Sequence, residues 1–345
     1  MTLTIGEVFA NPDHYLFAFD GDMALFREMD RASYRRSIFL DQRIDAAGPG
    51  ILRVPIDMLM THAATLSQGK AAPSWIFHIA HCGSTLLARG LDSGNSLVLR
   101  EPVPLRQIAV EAAVAFAGGP PNPGWNAALG LVTALLSRRY RPEASPIVKA
   151  NVPVNFILPH ILTRYPDAKA ILLHFNLEDY LSAILRSANH RAWVMSVSAE
   201  LAPAIIAETG AIGDDDTERA AALWLAQMRI YARSLDSWPS LRSLDAEQLF
   251  IAPIESLRAA HDYFDTEIPA DLESSVKALT STYAKNPQAA FDNTARLMRR
   301  EAGRRELSAD LARAAAWVRN RLADAPLPKR LPHPLIGAGC KLLKL

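Results

Sequence analysis

Residues 77–92 read FHIAHCGSTLLARGLD. An apolar run gives way to a His-Cys pair, two small hydroxyl residues and an arginine, residue types suited to an anion. A cysteine phosphatase with Cys82 as nucleophile needs its arginine at residue 88, so that the guanidinium closes over thiolate and phosphate. Ala88 holds that place, and Arg89 comes one residue late, turned about 100° round a helix. A slip of that size defeats the geometry. An ATP-binding Walker loop needs a lysine straight after its second glycine, and Gly83 is followed by Ser84. What remains is a turn whose backbone N–H groups, with the hydroxyls of Ser84 and Thr85, hold a phosphate or sulfate oxygen at a helix start. Leu86 completes that first turn. Cys82 need only be small there, and no thiol chemistry is required of it.

Further polar residues close apolar segments. Glu101 ends SLVLRE (96–101) and is a candidate general base, since strand ends face the ligand in open α/β sheets. Bracing the sheet edge with Arg100 is its plainer role. Lys149 ends the strand in SPIVKAN (145–151), placed either to hold an anion or acceptor group or to pair with Glu101. His81, two residues before Gly83, is a candidate donor or acid. His78, inside the strand, reads as a core histidine.

These residues need a scaffold, and the pattern supplies one. From residue 74 onward strands and helices alternate. SWIFHIA (74–80) predicts a strand and GSTLLARGLD (83–92) a helix. SLVLRE predicts a strand, PLRQIAVEAAVAFA (104–117) and AALGLVTALLSRRYR (127–141) helices, and SPIVKAN a strand. VNFILPHILTRYP (154–166) predicts a helix, AKAILLHF (168–175) a strand and LEDYLSAILRSANHR (177–191) one helix. The strands are short and almost wholly apolar, as when both faces are buried. Alternation implies parallel strands joined by right-handed crossovers. A last strand is expected in LRSLDAEQLF (241–250), after the amphipathic helix DDDTERAAALWLAQMRIYARSL. In residues 1–72, DMALFREMDRASYRRSIFLDQRI reads as one or two short helices and GILRVPIDMLMTHAATL as a strand and a helix. RLMRREAGRRE (296–306) reads as a basic helix and PLPKRLPHPLIGAGCKLLKL as a surface strap. The expected division is an N-terminal extension, 1–72, packed on an α/β unit, 73–345, with a helical C-terminal part.

IFHIAHCGSTLLARGLD resembles the 5′-phosphosulfate loop of the sulfotransferases, in which a strand and turn lead into SGTT or GST at a helix start. LVLREP is similar to the Arg-Glu-Pro segment of distant members, and IVKAN to their next core strand. YPDAKAILLHFNLEDYLSAILR resembles the 3′-phosphate segment, and LRSLDAEQLFIAPIESLRAAHDYF a later strand-and-helix segment. The resemblance spans about residues 73–265. It implies a P-loop α/β sandwich, a sulfotransferase-like central parallel sheet flanked by helices. It implies a donor, 3′-phosphoadenosine 5′-phosphosulfate (PAPS), that leaves as adenosine 3′,5′-bisphosphate. The donor contacts it implies are His81, Cys82, Gly83, Ser84, Thr85 and Leu86 at the sulfate end. At the 3′-phosphate they are His174 and Ser182; Arg186, four residues past Ser182 on the same helix face, and Lys285 in YAKNP, placed to fold over the nucleotide, are the cations that would compensate for the histidines. His81 and His174 stand where the family carries Lys or Arg, so donor affinity is expected to weaken as pH rises from about 6 to 8. Glu101, His81 and Lys149 would carry catalysis. Sulfuryl transfer, like phosphoryl transfer, is served by positioning and charge stabilisation and needs no metal. The expected acceptor is a hydroxyl or amine of a small molecule, carbohydrate or peptide. The alternative is a nucleotide- or partner-binding protein of the same fold with weak catalysis; an atypical P-loop small-molecule kinase is more remote.

Composition narrows the field. The 345 residues are half apolar and carry a net charge of +1, a balance that calls for neither nucleic acid nor an anionic membrane. No apolar run nears the roughly 20 residues of a membrane helix. The N-terminus lacks the basic and apolar regions of a signal peptide. Cys82 and Cys340 lie far apart, which suits a reduced, cytoplasmic setting, and no Cys/His spacing matches a zinc site. A homo-oligomer is compatible with all of this.

Overall fold

The computed structural model describes residues 4–65, 72–92, 96–116, 123–283, 286–290, 293–323 and 325–343. Strands β1 (His14–Asp20), β2 (Met23–Glu28) and β3 (Ile51–Pro55) pair antiparallel in that order. β1 turns into β2 through Gly21 and Asp22, with Gly21 at φ +57°, a conformation glycine adopts without a Cβ penalty. The helix expected across DMALFRE is therefore a strand. β2 buries alternate residues, Ala24 and Phe26, the period of a half-covered sheet, and a two-residue Gly-Asp turn between alternating segments is hairpin chemistry. Only Arg31–Arg36 is helical there, capped by Asp30, which accepts from Ser33 N at 2.6 Å.

The main sheet holds β4 (Ser74–His78), β5 (Val98–Arg100), β6 (Ile147–Lys149), β7 (Ala170–His174) and β8 (Leu241–Asp245). All five run parallel, in the order β5-β6-β4-β7-β8. β4 to β7 are buried at every position, which is why they read as unbroken apolar runs. Helices cover the sheet, so the molecule is α/β. The connection leaving β4 runs toward β5, whereas those leaving β6 and β7 run the other way. With right-handed crossovers, the helix after β4 lies on the opposite face from those after its two neighbours. The chain parts at the carboxyl end of β4, the place where such sheets bind ligands.

The helix expected over 177–191 is two helices, Leu177–Ile184 and Ala188–Glu200. Ser187 is extended and caps the second by accepting from His190 N at 3.3 Å, so a new helix starts there. Helices Asn293–Glu306 and Ser308–Leu322 form the C-terminal part, packed on Leu177–Ile184 and on the long helix Asp216–Ser237. The tail then runs along the outer edge of β8. Ser243 N donates to His333 O at 2.9 Å, and Leu335 N to Ser243 O at 2.8 Å.

Buried ion pairs tie the N-terminal segment to the sheet. Asp92 accepts from Arg31 at 2.6 Å and from Arg100 at 2.9 Å. The Arg100 guanidinium also reaches the carbonyls of Tyr34 and Ser37. Among the described residues no helix is long and apolar enough to cross a membrane.

Candidate active site

β4 passes to the helix Ser84–Leu91 through residues 79–83, and the backbone there is unusual. Ala80, His81 and Gly83 sit at φ +70°, +51° and +82°. Left-handed residues bearing a Cβ cost energy and gather where function demands them. A turn of this kind gathers N–H groups into an anion-binding concavity. The first helical bond runs from Leu87 N to Gly83 O at 3.2 Å, so earlier N–H groups have no acceptor within the helix. Ser84, Thr85 and Leu86 form the buried first turn. Gly83 is required twice over: by its φ, and because a Cβ would meet Phe250 Cζ at 2.8 Å. The His81 ring lies 4.0 Å from His190 and 6.2 Å, edge-on, from Trp193. Arg296 lies 4.3 Å over the Phe250 ring, so the basic C-terminal helix reaches the loop.

Cys82 turns away from this concavity. Its Sγ is buried 3.9 Å from Leu173 O, and burial pushes the thiol up to about 11. A neutral thiol in the core leaves only the backbone of Cys82 to serve an anion.

The second half of the site lies at the ends of β5 and β6. Glu101 does not brace Arg100, which is engaged by Asp92. Its Oε1 takes the buried Lys149 ammonium, and His78 Nε2 lies 3.6 Å from the same oxygen. Burial pushes the Glu101 carboxyl up, but Lys149 and then His78 outweigh it and hold it well below the usual carboxylate range. Phe39 of the N-terminal segment lies under both Lys149 Nζ, at 5.3 Å, and the Arg43 guanidinium, at 4.0 Å. Glu101 itself has φ +58°. His78, buried at the end of its strand as expected of a core histidine, faces it across the intervening strand β6.

Of the residues expected at the 3′-phosphate, His174, Ser182 and Arg186 lie among the described residues. His174 is buried, with Nε2 3.7 Å from Cys340 Sγ, and burial pushes its imidazole down to about 4. It is neutral near pH 7, so the expectation that it supplies a cation is corrected. Ser182 Oγ donates to Glu178 O at 2.8 Å. Arg186 is exposed beyond the end of its helix at Ile184, so it does not share a helix face with Ser182 as expected. Lys285 lies outside the described residues. Leu342 O from the tail takes the N–H of Leu177, the first residue of that helix, at 3.0 Å. The cations nearby come from residues 293–306. Arg300 and Arg304 reach Asp179, Arg304 reaches Glu178, and Arg296 and Arg300 reach Glu247. The basic helix thus meets a matching set of carboxylates.

Two open clefts, of about 410 and 380 Å³, share no residue with the loop and lie along the N-terminal segment. Among the described residues no His, Cys, Asp and Glu group could hold a metal ion.

No protein-family model and no curated protein matches the chain. Solved structures similar to it include a sulfotransferase domain from the curacin biosynthetic pathway, 16% identical, with a TM-score of 0.38, over 59% of this chain and 78% of that one. A sulfotransferase from Alicyclobacillus acidocaldarius is 15% identical, with a TM-score of 0.39, over 72% of this chain and 95% of that one. At these levels the functional reading rests on this chain's own residues.

Proposed function

We propose that this chain is a PAPS-dependent sulfotransferase, moving a sulfuryl group to a hydroxyl or amine of a small molecule, carbohydrate or peptide. The observation that carries this is the loop 79–86: paired left-handed Ala80 and His81, then Gly83 and a buried Ser-Thr helix start, at the point where the parallel sheet divides. Its N–H groups and hydroxyls suit the oxygens of the phosphosulfate, and His81 at its rim suits the transferred group. A loose transition state spreads charge over the equatorial oxygens, and fixed backbone dipoles stabilise that charge. Glu101, kept ionised by Lys149, faces the acceptor side. A carboxylate held this low is a weak base, so it orients the acceptor by hydrogen bonding and takes its proton late. PAPS supplies the activated sulfuryl group. The residues fit its phosphosulfate end better than its 3′-phosphate, for which Arg296, Arg300 and Arg304 are nearer candidates than His174.

A second reading is favoured by one observation, the Leu342 carbonyl on Leu177 N beside neutral His174. In that reading the chain is a nucleotide- or partner-binding protein with weak catalysis. Thermal melts with adenosine 3′,5′-bisphosphate, AMP and ATP, each with and without EDTA, test the first. The bisphosphate is expected to raise Tm most, by linkage, and without metal. Equal stabilisation by ATP rejects the 3′-phosphate assignment. Tight bisphosphate binding with no labelled sulfate moved to any acceptor selects the second reading.

A further inference from the structure

One imidazole joins the two halves of the site. His78 Nδ1 accepts a hydrogen bond from Ala80 N at 3.1 Å, so a neutral ring carries its proton on Nε2. That Nε2 faces Glu101 Oε1 at 3.6 Å, an electrostatic contact longer than a hydrogen bond, on the oxygen that also takes the Lys149 ammonium. The residue is buried, and its backbone is held from behind. The His78 carbonyl accepts from Asn155 Nδ2 at 2.9 Å, and Asn155 is itself held by Gln227 and by Tyr231 Oη. Ala80 and Glu101, both reached by the ring, are non-glycine residues at positive φ. Such conformations persist only where the surroundings over-determine them. The other charged groups facing Glu101 are Lys149 from β6 and Asp41 and Arg43 from the N-terminal segment.

We propose that His78 is the positioning residue of this site: Nδ1 fixes the left-handed turn that shapes the anion loop, and the Nε2–H dipole, facing the carboxylate on the acceptor side, orients it electrostatically. This rests on the reading above, in which the loop holds the donor anion and Glu101 faces the acceptor.

The two functions separate by substitution. In His78→Asn the amide oxygen falls near Nδ1 and nothing reaches Glu101. In His78→Gln the amide nitrogen falls near Nε2 and Ala80 N loses its acceptor. Two quantities are measured: affinity for adenosine 3′,5′-bisphosphate by calorimetry, and stability in urea at pH 6 and pH 2. His78→Asn is expected to keep affinity within about threefold, while His78→Gln loses about tenfold, the worth of one buried hydrogen bond. Because Glu101 is depressed, its contribution is lost on acidification. The fall in stability from pH 6 to pH 2 is therefore expected to shrink in His78→Asn and to persist in His78→Gln; Lys149 keeps Glu101 depressed in both, so the difference opens only at the acid end. Ala80→Gly added to His78→Gln is expected to recover part of the affinity, since glycine adopts that φ unaided. Equal losses in both variants on both readouts, or no recovery by Ala80→Gly, overturn the proposal and leave His78 a packing residue. If the wild type binds no bisphosphate, the donor reading falls separately. The pH comparison alone then decides whether His78 holds Glu101.

Discussion

At the scale of the residue, the pair Lys149–Glu101 sets the chemistry available. Lys149 is 1% exposed and Glu101 21%. Lys149→Met strands a carboxylate, at an expected cost of about 2–4 kcal/mol, somewhat below the roughly 3–5 kcal/mol of a fully buried pair because Glu101 keeps some water. Adding Glu101→Gln to Lys149→Met is expected to regain part of that loss in urea melts. A double variant as unstable as Lys149→Met means the pair is not what Lys149 contributes. His174 titrates with the opposite chemistry but the same direction of loss. An unfolded histidine takes a proton near pH 6.5, whereas folded His174 resists until about 4. Its contribution is therefore full above about pH 6.5 and falls by at most about 3 kcal/mol as pH is lowered toward 4. His174→Gln is expected to flatten that limb of the stability curve. An unchanged limb between pH 6.5 and 4 would assign it to other groups. Cys82→Ser is expected to leave bisphosphate affinity unchanged, as the thiol is buried away from the concavity; a tenfold loss of affinity with the fold intact would put that side chain back in the site.

At the scale of the element, the loop and the C-terminal helix are coupled through Phe250. Gly83→Ala is expected to cost about 2–4 kcal/mol, from the positive φ and from the overlap with Phe250. Phe250→Leu in the same chain is expected to recover only the overlap. Full recovery would mean that the backbone there is not strained. The helix Asn293–Glu306 presents arginines at four-residue spacing, Arg296, Arg300 and Arg304, to Glu247, Asp179 and Glu178. Arg304→Ala leaves buried Asp179 short of a partner and is expected to cost about 1–3 kcal/mol. Arg305→Ala, which breaks an exposed pair with Glu301, is expected to change stability by less than about 0.5 kcal/mol. Denaturant melts of both variants compare these directly.

At the scale of the molecule, the N-terminal segment and the C-terminal tail both reach the carboxyl ends of the sheet's strands. The N-terminal segment brings Phe39 and Arg43 to Glu101, and the tail brings Cys340 to His174 and Leu342 to the start of the Leu177–Ile184 helix. Leu342 is buried, so Leu342→Ala is expected to cost about 2–4 kcal/mol. If the tail obstructs a second anion, the loosened variant gains more Tm from adenosine 3′,5′-bisphosphate than the wild type does. A smaller gain would make the tail part of the binding surface instead.

The main sheet was legible because doubly buried strands leave continuous apolar runs, and β4 to β7 fall within the segments read as strands. The loop was legible because a turn before a helix needs small residues, and HCGST supplies them. Short-range signals fail where another pattern competes: the residues of β2 read as helix, and the periodicity runs one helix through Ser187. What the sequence could not carry is pairing between distant residues. Lys149 answers Glu101, His78 spans β6 to meet it, Asp179 collects arginines from residues 300 and 304, and the tail seals His174. Whether a histidine is a cation depends on the water left around it, and whether a carboxylate is a base depends on its neighbours' charges. Both are set only when remote segments pack together.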